Sequence, residues 1–340
     1  MVRAGTPELS QSFDEDTKRS PVAQPERDDM RLLRMLSLTA LITTLSMNPL
    51  HGSAQEAAPA PIPRTIEGRP DFHGVWASRW LTPVERSPGV EALVVDAQAA
   101  ERLAAEILTR ASNPAQLDPE LAYPDASTLA VVRGEFRTSL VIKPDNGRLP
   151  MTAAGRSAMR AYVTGADGPE QRMTTERCLG GVGWAPLQIR TASMLRRIVQ
   201  TPKHMVLHTE AYSDLRIIGI DSRPLPPAMR PAGGDSVAHW EGDALIVETR
   251  NLDPETSTHG IVTVLSPEAV ITERFELASP NELVYRYTVT DPAYYTEPWT
   301  AEYSLTRSAE EIFEFACHEG NYSMVGILAG ARKDARRKGP

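Results

Sequence analysis

Ala269-Val270-Ile271-Thr272-Glu273-Arg274-Phe275-Glu276-Leu277, a turn at Ser279-Pro280-Asn281, and Glu282-Leu283-Val284-Tyr285-Arg286-Tyr287-Thr288-Val289-Thr290 read as two strands of a hairpin. Side chains alternate between the two faces of a strand, so Ile271, Glu273, Phe275 and Leu277 share one face. Upstream the same pattern recurs over Phe136–Ile142, Leu195–Gln200, Met205–Glu210, Leu215–Ile220, Ser236–Trp240 and Ala244–Thr249; downstream it recurs over Thr300–Thr306 and Ile312–Cys317. Short connections with turn chemistry, at Glu241-Gly242-Asp243 and Pro144-Asp145-Asn146-Gly147, imply antiparallel neighbours. About ten strands in one domain must hide their edges, which favours a closed or nearly closed barrel over an open sheet. Helical spacing is confined to Asp96–Ala111, Thr152–Val163 and Asn321–Arg337. The expected fold is therefore mainly β, an antiparallel barrel with a few short peripheral helices.

The 340 residues are 41% hydrophobic and 24% charged, ordinary globular values that suggest neither a disordered nor a membrane-spanning class. A net charge of -8 without a basic stripe argues against nucleic acid as a partner. The one basic run, Arg332-Lys333 to Arg336-Arg337-Lys338, is interrupted by Asp334 and reads as a solvated helix end.

Met30-Arg31-Leu32-Leu33-Arg34, the apolar stretch Met35 to Leu45, and Gly52-Ser53-Ala54 have the order of an export signal, too short in its apolar part to span a bilayer. Residues 1–54 are thus expected as leader, with translation starting at Met30 or Met35, residues 55–70 as linker, and 71–340 as a single barrel domain. Export to the periplasm or the medium, with no membrane span after cleavage, follows. Cys178 and Cys317 are the two cysteines, and in an oxidising compartment an even pair is most simply one disulfide.

Several segments together resemble a large, poorly characterised family of secreted bacterial proteins. They are Pro70-Asp71-Phe72-His73-Gly74-Val75-Trp76, Glu176-Arg177-Cys178-Leu179, Gly234-Asp235-Ser236, Trp240-Glu241-Gly242-Asp243, Glu273-Arg274-Phe275, Pro298-Trp299-Thr300 and Cys317-His318-Glu319-Gly320-Asn321-Tyr322. The resemblance implies export and a lipocalin-like β-barrel, and no agreed activity. Ser213-Asp214 and Val237-Ala238 depart from that family's pattern.

A charge on an apolar strand face is costly unless paired or used. Glu273 meets that test, as do Asp214 and Arg216, which share a face with Ile218 and Ile220. If Ile312–Cys317 is a strand, Glu319 joins the face of Phe313 and Phe315, and His318 stands at its rigid end. His318, Glu319 and Glu273 are the candidates for proton transfer; Arg177, Asp214, Arg216, Trp240 and Tyr322 are the candidates for ligand contact. Each has a bland alternative: Glu273–Arg274 as a strand-end ion pair, Asp214–Arg216 as a register-fixing pair, and the tryptophans as core. His204 and His208 are four apart on a strand, about 13 Å, too far for one zinc, and neither H-E-x-x-H nor a dinucleotide or P-loop pattern occurs. No metal or cofactor is expected. The function expected is metal-free acid/base chemistry of a lyase, isomerase, cyclase or hydrolase type on a small, largely apolar organic molecule. Its rivals are a non-catalytic carrier and an envelope interaction protein using Pro224–Pro231.

Overall fold

The computed structural model describes residues 60–111, 126–164, 172–187, 195–256 and 263–338, all within one compact unit spanning 57–340. The expected leader lies outside the described residues.

The strands in chain order are β1 (Gly74–Ala77), β2 (Val94–Val95), β3 (Val131–Val132), β4 (Glu135–Arg137), β5 (Val141–Lys143), β6 (Leu195–Gln200), β7 (His204–Thr209), β8 (Asp214–Ile220), β9 (Asp235–Glu241), β10 (Ala244–Arg250), β11 (Val270–Ser279), β12 (Glu282–Thr290) and β13 (Trp299–Ser308). Helices are α1 (Ala97–Ala111), α2 (Ala153–Thr164), α3 (Cys317–Gly320) and α4 (Tyr322–Lys338). Strands β6 to β13 pair in sequence order, and β1 bridges β6 and β13, closing a nine-stranded ring. β5 adds at the start of β13. The barrel is mixed: β8 and β9 run parallel, Gly219 facing Val237, because the proline-rich crossover 221–234 replaces a tight turn.

Two expected strands differ. Phe136–Ile142 divides into β4 and β5, since Thr138 N–H turns to Leu93 O and Leu140 N–H to Pro83 O, and the two halves serve different sheets. Ile312–Cys317 alternates like a strand but is irregular, with Phe313 69% and Phe315 39% exposed. One edge of β13 is taken by β12 and the other by β5 and β1, so the closed ring offers this segment nothing to pair with. Cys178 and Cys317 form the expected disulfide.

Inside the ring the alternation holds. Trp76, Ile198, Leu207, Ile218, Leu245, Phe275, Leu283 and Leu305 are buried, as are Glu273, Arg216 and Arg196. Outside it, β2, β4 and β3 form a small sheet under α1, with its own cluster of Leu81, Ala100, Ala104 and Leu129. Glu302, on the outer face of β13, is buried and takes Arg286 Nε at 2.8 Å.

Candidate functional site

Register divides the barrel into two ends. Asp214, Arg196 and Thr209 lie at one, because Asp214 faces Thr209 and Thr209 faces Arg196 across β8, β7 and β6. Gln200, Ile220 and Trp240 mark the other, where the same strands finish.

The first end is polar and sealed. Arg216 Nη1 donates to Glu273 Oε1 at 2.9 Å, Nη2 donates to Glu273 Oε2 and, at 2.9 Å, to Thr249 Oγ1, and Nε donates to Ser236 Oγ at 3.1 Å. Tyr285 O–H donates to Glu273 Oε1 at 2.7 Å. Glu273 is 0% exposed, so a lone carboxylate would be prohibitive there, and the guanidinium fork with a phenol satisfies it. Burial, together with the adjacent Glu273 carboxylate, holds the Tyr285 phenol well above its usual range. Burial alone would lower Arg216, but the Glu273 charge and hydrogen bonds outweigh it and keep the guanidinium protonated.

The seal comes from the chain itself. Residues 180–187 enter this end, with Val182, Ala185 and Leu187 buried. Leu187 N–H donates to Tyr285 Oη at 2.9 Å, and Tyr303 O–H donates to Leu187 O at 3.0 Å. Asp214 Oδ2 accepts Gly181 N–H at 2.7 Å and Gly183 N–H at 2.9 Å. Burial raises the Asp214 pKa, and those amides oppose the rise without cancelling it. Gly180 has φ 86°, and a Cβ there would stand 2.6 Å from Asp214 Oδ1, so this turn requires glycine. The plug is backbone held by side chains, the arrangement a segment without periodicity needs in order to be buried.

The second end is open. A cleft of about 580 Å³ there is lined by Arg64, Ile66, Arg69, His73, Ile220 and Trp240 among others. Residues 64–70, expected as linker, belong to the domain: Thr65 N–H donates to Arg69 O, and Arg64 grips Asp243 through Nη1 at 2.9 Å and Nη2 at 2.7 Å. Trp240 is half-buried, stacked on Phe72 with centroids 5.6 Å apart, with the Arg69 guanidinium 5.3 Å from its ring centre. Ile66 is wholly exposed. His73 has the look of an acid/base dyad, with Nδ1 2.8 Å from Asp71 Oδ1, but its Nε2 accepts Gln200 N–H at 3.1 Å. The backbone donor fixes the proton on Nδ1 and occupies the lone pair a general base would use.

Of the residues singled out in the sequence, the structure brings Glu273 and Arg216 together and sets Asp214 at the same end. Trp240 it places in the cleft at the other. Arg177 is half-buried on the turn before Cys178, and the cation on Glu273 is Arg216. Arg274 turns to Glu276 at 3.0 Å, so it is no partner of Glu273. His318, Glu319 and Tyr322 are exposed on α3 and the start of α4, and neither His318 nor Glu273 lines the cleft. The pocket expected from segments near 177, 214, 273 and 318 is thus divided: Glu273 is enclosed by the ring and plug, while His318 follows an irregular segment out to solvent. Tyr285, Thr249 and Ser236 were missed, although strand parity puts Tyr285 on the Glu273 face. Ile66 and Arg69 carried no periodic signal. Among the described residues no group of three or more His, Cys, Asp or Glu is placed to hold a metal.

Two features thus define this molecule: a closed β-barrel stoppered at one end by residues 180–187 and a cleft over its open end. Comparison with protein families, with characterised proteins and with solved structures finds no match to the chain.

Proposed function

We propose that the protein is an exported, non-catalytic carrier that takes a small, largely apolar organic molecule into the cleft at the open end of the barrel. The observation that carries this reading is the pairing of a half-buried Trp240 ring with a bare Ile66 inside a concavity large enough for a small organic ligand. An apolar body would displace water from Ile66 and Trp240, while Arg69 offers donors to a polar edge. Binding is favoured over turnover because the interior candidates are already committed, Glu273 to Arg216 and Tyr285 and Asp214 to the plug, and so is the cleft histidine, His73, to Asp71 and Gln200. The leader pattern and the disulfide support export.

The test uses 1-anilinonaphthalene-8-sulfonate as an aromatic probe. Its fluorescence should rise saturably with the folded protein, and Trp240→Ala should weaken binding about tenfold, the loss of one aromatic contact. Equal affinity for the native chain and Trp240→Ala would reject the cleft.

A further inference from the structure

Helix α4 presents one bare face. Tyr322, Val325, Ala329, Arg332, Lys333 and Arg336 fall within about 100° of arc at 100° per residue, and all six are exposed, Tyr322 by 84% and Val325 by 72%. Met324, Ile327, Leu328 and Ala331 lie on the opposite, half-buried face. The bare face is ordered along its length, apolar in its first two turns and basic in its last two.

Charge around it is polarised to match. Glu311, Glu314 and Glu319, all exposed, precede α4 and have no cation within salt-bridge distance among the described residues. Arg332, Lys333 and Arg336 close it and likewise have no carboxylate, whereas Arg337 is paired with Asp334 at 3.3 Å. One end thus carries three unpaired acids, the other three unpaired cations, and an apolar stretch separates them. An anionic bilayer would attract the basic end and repel the acidic one, and a nucleic acid would meet the same repulsion. The surface that complements both ends at once is its own copy turned through 180°.

We infer that α4 pairs antiparallel with α4 of a second copy of this chain. With the two-fold axis at the level of Ile327 and Leu328, Tyr322 stands opposite Lys333 of the other copy, and Glu319, on α3 just before α4, lies at the end that meets Arg336. Val325 and Ala329 then meet at the centre, where Gly326 and Gly330 have open space beside their Cα atoms. Such an interface is isologous, so each charge pair occurs twice and the contact closes at two copies. The pairing is independent of the cleft reading, since no residue of α4 lines that cleft.

Sedimentation equilibrium of the purified protein reads the state directly. The native chain should be a reversible dimer, and Glu319→Arg should raise its dissociation constant about tenfold or more by setting like charges together. Glu319→Arg with Arg336→Glu should restore self-association to within roughly threefold of native, because paired sites couple. These positions are exposed, so melting temperature should stay unchanged in both variants; Val325→Asp provides an independent break at the apolar centre. A monomeric native chain at every concentration, or a double charge swap no tighter than the single, would overturn the pairing. A chain that stays monomeric yet sediments with phosphatidylglycerol vesicles would overturn it in favour of a lipid surface.

Discussion

The two ends of one barrel use the same strands in opposite ways. At the polar end, β8, β10 and β11 contribute Arg216, Thr249 and Glu273, with the Arg216 and Glu273 charges meeting each other and residues 180–187 packed over them. At the open end, the same sheet stops at Ile220 and Trp240, and the segment 64–73 leaves a cleft between itself and them. A cluster of buried ionisable groups is often taken to mark a working site. In this protein it marks the closure of the barrel, and the ligand surface proposed above lies at the opposite end. The contrast is one of satisfaction: the Arg216–Glu273–Tyr285 cluster has spent its hydrogen bonds internally, while the open end keeps contact area to give.

The contrast breaks most sharply at Glu273. Glu273→Ala would strand Arg216 in the sealed interior and should cost about 3–5 kcal/mol in urea denaturation. Replacing both, Arg216→Met with Glu273→Leu, should recover most of that loss, because the cost lies in the uncompensated charge. Equal losses from the single and double variants would show that the pair does more than close the barrel.

A smaller effect is expected where the plug is fastened. Asp214→Ala leaves the Gly181 and Gly183 amides without their acceptor and should cost about 1–3 kcal/mol. The pH dependence has a definite sign. Because burial raises the Asp214 pKa in the folded state, that state binds its proton more tightly than the unfolded chain does. Its contribution is therefore fully present below the unfolded carboxylate range and declines as pH rises through the raised folded value. Asp214→Asn should remove this decline, read as a flatter difference in stability between mildly acidic and neutral pH; an unchanged slope would remove Asp214 as its source.

The smallest effect on stability belongs to the open end. Trp240→Ala should cost only about 1 kcal/mol, the loss of its stacking on Phe72 and Arg69, while probe binding suffers. A larger destabilisation with unchanged binding would move Trp240 from the ligand surface into the core.

Strand parity in the 269–290 hairpin was enough to bury Glu273, since period-2 alternation survives in any closed sheet, and the same parity carried to the partner strand would have added the missed Tyr285. The same parity misread Ile312–Cys317, because alternation states a preference for pairing while only the closed ring decides whether an edge is available. The plug and the 64–73 segment carry glycine, proline and isolated apolar residues without a period, and their places are fixed by long-range partners such as Asp214, Tyr285 and Asp243. Nothing local in those stretches announces such partners. The parallel step from β8 to β9 was hidden for a related reason: the crossover 221–234 is rich in proline, which reads equally well as an exposed arm.

Amide hydrogen exchange with and without saturating 1-anilinonaphthalene-8-sulfonate tests the division of labour most directly, because it reports both ends of the barrel in one experiment. Protection should appear over residues 64–73, 200–202 and 238–241, with exchange in 180–187 and around Glu273 unchanged. Protection centred on 180–187, Tyr285 and Glu273, with the cleft segments unaffected, would contradict it.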